Sequence, residues 1–412
     1  MFQRKLGGVM AVAAIVAACG PGGTGSTAPT TAPATSGPAT AAPPTDAPVA
    51  TQGAIGEGEG ELNLIIWAGY AERGETAGFE SFNWVTPFEE RTGCQVNTTD
   101  MTDSNNGVSL MQGGQYDGIS ASGDATTRLI QGGIVAPIDT SILPNYANVF
   151  PGLKDLPHNT VDGVNYGVPH GRGANLLMYN TDAVTPAPTT WDSVWEGASA
   201  YAGKISVYDS SIYIADAALH LMTTTPALGI TNPYQLNQAQ FDAAIDLLEA
   251  QRDNGAKYWA SYTDQMAQYT SGDLVTGTTW PLQVALLKAG GVKVEGTLPD
   301  EGSTGWSDTW MMHAQAEHPN CMLMWMDHMM SAEGNGQATV YFGEASTSAQ
   351  ACAHAETLSP SHCDVTHATD EAYYDKVWYW STPQEDCADA DAATTCKTQE
   401  DWVAAWTTLR GS

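Results

Sequence analysis

The chain has 412 residues, with 46 Asp and Glu against 15 Lys and Arg, for a formal net charge of −31 at pH 7. That acid excess excludes nucleic acid and other polyanions as partners, attracts cations weakly at long range, and identifies no catalytic group by itself. The length past the first 60 residues exceeds what one hydrophobic core usually serves, so two lobes are expected.

The chain opens on MFQRKLGGVMAVAAIVAACG, in which Arg4 and Lys5 are basic, Val9 to Ala18 form an apolar run, and Cys19 follows directly. The run is too short to span a bilayer as a permanent helix, and Val16-Ala17-Ala18-Cys19 reads as a lipobox. Residues 1–18 are therefore expected to be a lipoprotein signal peptide, with Cys19 lipidated. The body would then be anchored at an extracytoplasmic membrane face, periplasmic or cell-surface. Residues 19–59 are mostly Gly, Ser, Thr, Ala and Pro, too poor in apolar surface to fold, and are expected to be a disordered tether. Within it GPGGTG matches the dinucleotide pattern G-x-G-x-x-G, but no strand precedes it and no helix follows, so it carries no nucleotide reading.

Past the tether, ELNLIIWAGY reads as a buried strand ending in a loop. SFNWVTPFEERTGCQVNTTD reads as a helix followed by a strand from Cys94, VSLMQGG as a helix, and YDGISAS as a third strand. That alternation predicts a mostly parallel α/β sheet with right-handed crossovers. Ligands in such sheets sit at the carboxyl ends of strands, where Trp67, Tyr70 and Ser122 fall. A second unit begins around YGVPHGRGANLLMYN, in which Gly171 and Gly173 allow a hinge, and GKISVYDSSIYIADAALHLM adds a strand running into a helix. QFDAAIDLLEAQRD is an amphipathic helix with Phe241, Ala244, Ile245 and Leu248 on one face. DLVTGTTW and VKVEGTLP read as short strands.

GWSDTW, residues 305–310, poses a question: in an extended chain Trp306, Asp308 and Trp310 share one face, which sets a carboxylate between indoles. Either the Asp caps a turn beside a half-buried strand, or the group is a cation site, since aromatic faces attract an ammonium and a carboxylate neutralises it. NCMLMWMDHMMSAEGNGQATVYF is helical, and the helical spacing of Met322, Met326, Met329 and Met330 indicates core packing rather than a copper site. No metal or other cofactor is expected. Besides Cys19 there are six cysteines. The short loops pair Cys352 with Cys363 and Cys387 with Cys396, leaving Cys94 with Cys321, one of fifteen possible connectivities.

Taken together, WAGYAERG, YDGISAS with GGIVAPIDTSILPNYANV, YGVPHGRGANLLMYNTDAV, TWDSVWE with YAGKISVYD, TTWPLQVA and PDEGSTGWSDTW, in this order, resemble the extracytoplasmic solute-binding proteins of ABC importers, specifically the spermidine/putrescine-binding group. The resemblance implies a two-lobed α/β fold of the periplasmic binding-protein type, with hinge crossovers and a ligand held between lobes. One lobe would span 60–172 plus 305–345, the other 173–304 plus 346–412. It implies no chemistry on the ligand, and a monomer working with an ABC permease and ATPase. Those subunits would be separate chains, because this one has neither a nucleotide loop nor transmembrane helices. Trp67, Tyr70, Trp280 and Trp306 match the family's aromatic walls, Asp308 its amine-holding acid, and Ser122 a polar contact. Trp310 stands where an aliphatic is usual and is assigned to the core. The pattern departs at Asp124, Arg172, Ser210, Tyr213 and Glu344, which would rebuild the distal end of the site; an Arg there suits a zwitterion better than a diamine. The implied function is capture of a polyamine-like cation, the alternative a zwitterionic or quaternary amine.

The usual enzyme markers G-x-x-x-x-G-K-[ST], H-E-x-x-H and G-x-S-x-G do not occur, and the H-x-E at His354 to Glu356 has no following P-C-x-x-C. A secreted glycosidase is the remaining catalytic rival, because Trp-rich clefts with carboxylates bind sugars. It needs two carboxylates across one bond, and the sequence singles out no such pair.

Overall fold

The computed structural model describes residues 54–76, 79–195, 200–387 and 395–411. The expected signal peptide, Cys19 and nearly all of the expected tether lie outside the described residues.

Strand β1 (Glu61–Ile66) buries Leu62, Leu64, Ile65 and Ile66, the composition of a strand with neighbours on both edges. Helix α1 (Val85–Thr92), stopped by Gly93 at a φ of 77°, leads into β2 (Gln95–Asp100). Helix α2 (Ser104–Gln112) is capped by the Asp103 carboxylate, which accepts from the amides of Asn105 and Asn106, and leads to β3 (Gly118–Ala121) and α3 (Gly123–Gln131). Both β2 and β3 pair with β1 in parallel, as the strand and helix alternation predicts.

A small hairpin of β4 (Thr160–Val161) and β5 (Val164–Asn165) precedes β6 (Val168–Ala174). Only Asn175 separates β6 from β7 (Leu176–Asn180), which belongs to a second sheet. That sheet adds β8 (Ile205–Tyr208), β9 (Lys257–Trp259), β10 (Thr276–Thr279) and β11 (Val294–Thr297) in the order β11-β7-β10-β8-β9. Helices α4 (Ile214–Thr224), α5 (Gln238–Asp253), α6 (Tyr262–Ser271) and α7 (Pro281–Ala289) alternate with these strands. In α5 a capping box of Asn237 and Gln240 fixes the start, while Phe241, Ala244 and Leu248 face inward and Ile245 is half-buried.

The chain returns to the first sheet with β12 (Ser303–Met312), every residue of which is buried. It runs antiparallel to β3 and β6 and parallel to β13 (Val377–Tyr379). Between β12 and β13 come α8 (Pro319–Met329), α9 (Ala332–Phe342), α10 (Ala349–Leu358), α11 (His362–Val365) and α12 (Glu371–Tyr374). Met322, Met326, Met329 and Met330 are buried in the core beneath β12.

The two strand crossings are laced together. Asn175 donates from its amide to the Thr304 carbonyl at 2.9 Å and from Nδ2 to Thr304 Oγ1 at 2.7 Å, and Ser303 Oγ donates to the Asn175 carbonyl at 2.6 Å. The segment 346–412, expected with the second lobe, divides between the two: β13 extends the first sheet, whereas α13 (Gln399–Gly411) packs Trp402 against Phe241 of α5, with ring centroids 6.0 Å apart. Disulfides join Cys94 to Cys321, Cys352 to Cys363 and Cys387 to Cys396.

Candidate functional site

A cavity of about 280 Å³ lies where the carboxyl ends of strands from both sheets meet. From the first sheet come Trp67 and Tyr70 after β1, Met101 after β2, Ser122 after β3, Trp306 and Asp308 on β12, and Trp380 after β13. The second sheet supplies Tyr208 at the end of β8, Tyr262 after β9 and Trp280 after β10, and Phe342 closes α9. Eight aromatic side chains therefore surround one carboxylate.

The walls hold one another. Tyr70 stands edge-on to Phe342 at 5.0 Å between ring centroids, Trp280 lies 6.2 Å from Trp306, and Tyr208 stacks on Trp380 at 5.7 Å and 13°. Trp67 Nε1 donates to Ser122 Oγ at 3.1 Å, which sets its ring. Behind the walls a buried chain runs from Trp310 to Trp306. Trp310 Nε1 donates to His170 Nδ1 at 3.0 Å, so in the neutral imidazole the proton sits on Nε2, 3.1 Å from Glu344 Oε1. Glu344 Oε2 accepts from Trp306 Nε1 at 3.0 Å, and the His170 ring stacks on Tyr70 at 3.9 Å.

Gly171 and Gly173 of β6 pair with Asp308 and Trp306 across the ladder. A Cβ on Gly173 would sit 2.3 Å from the Trp306 ring, and one on Gly171 would sit 2.6 Å from the Glu344 carboxyl carbon. Whatever hinge they allow, these glycines make room for the wall and its support.

Asp308 answers the question posed by GWSDTW. Its Oδ2 accepts from Tyr70 Oη at 2.9 Å, and burial keeps that phenol protonated by raising its pKa well above the usual value. The Ser122 hydroxyl approaches the carboxylate, but no hydrogen bond closes on Oδ1, which is buried without a partner. Burial, reinforced by the negative charge of Glu344, pushes the Asp308 pKa up to about 7, against the lowering pull of Ser122 and Tyr70. A buried carboxylate oxygen left unpaired costs about 1–3 kcal/mol or more, a penalty that a bound donor removes. Trp310, on the same strand, is fully buried in the core.

The cavity takes in Trp67, Tyr70, Ser122, Trp280, Trp306 and Asp308 from the sequence-derived candidates and leaves out five others. Asp124 is buried in the first turn of α3, where its Oδ1 accepts from Ser104 Oγ at 2.7 Å. Arg172 forms a bidentate pair with Glu371 at 2.8 and 3.1 Å, donates to the Ala368 carbonyl, and lies 3.8 Å from the Tyr374 ring centroid. Ser210 caps the turn Ser211–Tyr213, and Tyr213 stacks on Trp195 and accepts from Gln251 Nε2. Glu344 acts one layer back, on Trp306. The two-carboxylate geometry of a glycosidase has no counterpart among the described lining residues, where Asp308 is the one acid.

Tyr208, Tyr262, Phe342 and Trp380 are the walls that the motifs miss. The readable signal was positional: Tyr208 ends the strand of GKISVYD, and Trp380 follows the strand of KVWYW. A larger hollow of about 1000 Å³ lies between β11, α7 and the 359–376 segment. None of its lining residues carries a buried side-chain polar atom without a partner, so nothing in it asks for a ligand.

Residues 83–358 match the family model of bacterial extracellular solute-binding proteins. The chain is 25% identical over 272 residues to the spermidine/putrescine-binding periplasmic protein of Escherichia coli, covering 63% of this chain and 74% of that protein. It is 24% identical over 287 residues to the putrescine/agmatine-binding protein of Pseudomonas aeruginosa, covering 64% and 76%. Among solved structures, the fold is similar to the spermidine/putrescine substrate-binding protein PotD of Streptococcus pneumoniae, with a TM-score of 0.64 at 16% identity, over 85% of this chain and 97% of that one. The PotD lipoprotein of Treponema pallidum gives a TM-score of 0.62 at 19% identity, over 85% and 100%.

Proposed function

The chain belongs to the bacterial extracellular solute-binding proteins, and from that premise we propose that it captures a cationic amine in the aromatic cavity and delivers it to an ABC permease. The observation that carries this reading is Asp308 Oδ1, an unpartnered carboxylate oxygen inside a ring of aromatic faces. An ammonium placed there supplies the missing donor, and each indole or phenol face contributes about 0.5–2 kcal/mol. The polyamine binding named for the relatives supports the amine class. A quaternary amine is held by the same faces and is the second reading. A zwitterion is less well supported, because among the described residues no Lys, Arg or His lines the cavity and Arg172 is taken up by Glu371.

Both sheets wall the cavity, so a ligand touching both favours the closed arrangement by its differential affinity for it. The closed form is what a membrane permease, with an ATPase on separate chains, recognises. No chemistry on the ligand is part of this reading. The chain acts as a monomer, held to the membrane by lipid on Cys19. Calorimetry with alkylamines, diamines and neutral isosteres, on the wild type and Asp308→Asn, tests the amine reading. Cationic ligands should lose at least about tenfold in affinity in the variant, and neutral isosteres little. Equal losses for both, or no binding of any amine, would refute it.

A further inference from the structure

We infer that the ligand carries a single ammonium centre for Asp308 and, at its other end, an uncharged hydrogen-bond acceptor for the indole N–H of Trp380. The inference rests on the amine reading and narrows it. Trp380 is 4% exposed, forms a wall of the cavity, and its Nε1 is buried without a partner. Trp84, Trp325 and Trp402 also keep an unpartnered indole N–H, but none of them lines the cavity; Trp380 does. Among its fully buried side-chain atoms the cavity wall therefore presents one unpartnered acceptor, Asp308 Oδ1, and one unpartnered donor, Trp380 Nε1. Trp380 lies past residue 358, where the family match ends.

The other buried acids near the cage stand behind its wall: Glu344 Oε2 accepts from Trp306 with Oε1 3.1 Å from His170 Nε2, and Asp124 Oδ1 accepts from Ser104. Asp209, which follows the wall residue Tyr208, is gripped by the C-terminal helix: Oδ1 accepts from Trp406 Nε1 at 3.1 Å and Arg410 Nε at 3.0 Å, and Oδ2 from Arg410 Nη2 at 3.1 Å. Asp100, next to the lining residue Met101, is open to water, where its charge is screened. A second ammonium would find no free buried carboxylate and would turn donors toward a donor-only indole N–H. A carboxylate at that end would find no cationic side chain among the described wall residues. A hydroxyl, ether or carbonyl oxygen satisfies Trp380 without adding charge.

The test is calorimetric titration of the whole protein with three matched series, two to six carbons long: α,ω-aminoalcohols, n-alkylamines and α,ω-diamines. At the best length the aminoalcohol should bind at least tenfold more tightly than the alkylamine or the diamine. Trp380→Phe keeps a ring and removes the N–H, so it should cost the aminoalcohol at least threefold more than it costs the alkylamine and bring the two to within threefold of each other. Asp209→Asn should leave every affinity within threefold. A diamine that matches or beats the aminoalcohol overturns the inference, as does an equal loss for both ligands in Trp380→Phe or a tenfold loss in Asp209→Asn. These outcomes leave the amine reading standing. If no member of any series binds, or Asp308→Asn weakens none of them, the amine reading itself fails and this inference with it.

Discussion

At the scale of single residues, the raised pKa of Asp308 makes ligand capture depend on pH. A cation needs the carboxylate, yet with a pKa of about 7 the empty site is largely protonated below neutrality. The dissociation constant should therefore rise about tenfold per unit as pH falls below 7, level off above it, and become flat in Asp308→Asn; titrations from pH 5 to 9 check this. For folding without ligand the sign is opposite. Between the ordinary value of 3.8 and about 7 the folded state holds a proton that the unfolded chain has released, so this group's contribution to stability falls as pH rises through that window. Gly173 is the second residue-scale case. Alanine there brings a Cβ to 2.3 Å from the Trp306 ring, so the indole must move. Gly173→Ala should weaken cation binding about tenfold, the value of one desolvated cation–π contact, and lower stability by about 1–3 kcal/mol through overpacking. Unchanged affinity with normal folding would remove Trp306 from the ligand's surroundings.

Among the elements, the disulfide between Cys94 and Cys321 ties the start of β2 to the start of α8 across 227 residues of sequence. Closing so long a loop restricts the unfolded chain, and the double variant Cys94→Ser, Cys321→Ser should lose about 2–4 kcal/mol of stability in denaturant titration. Ligand affinity should stay within about threefold. Cys94 precedes β2, whereas the lining residue Met101 follows it, a span of about 20 Å along an extended strand. A large loss of affinity with little loss of stability would show that the tie positions the site instead. Strand β12 shows what local pattern conveys at this scale. Its period of two placed Trp306 and Asp308 on one face before any contact was known, yet the same alternation put Trp310 there too; the resemblance assigned Trp310 to the core, where His170 and Trp325 hold it. The two glycines of β6 read as a hinge because glycine is permissive; they also give space to side chains that arrive from β12 and the loop after α9.

At the scale of the whole molecule, the proposed lipid on Cys19 would hold the protein at a membrane. Cys19→Ser should release the protein from the membrane fraction, and a variant that stays fully bound would refute lipidation at that residue. The strand and helix alternation, the parity of the six cysteines and the charge balance are local or additive properties of the chain, and these the sequence determined by itself. Of the six lining residues legible beforehand, Trp67, Tyr70 and Ser122 were readable as strand ends and Trp306 and Asp308 from their period of two, whereas Trp280 came from the resemblance alone. What only the tertiary structure decided is which polar groups are already satisfied. Arg172 was free to reach a ligand carboxylate until Glu371, 199 residues away, took both of its terminal nitrogens, and Asp209, beside the wall residue Tyr208, is held by Trp406 and Arg410 of α13. Trp380 and Tyr208 became walls only because β13 joins the first sheet and brings the two rings together. Burial and partnership are set by residues hundreds of positions apart, so no window of sequence contains them, and that Asp308 keeps an unpartnered oxygen among aromatic walls is visible only in the folded chain.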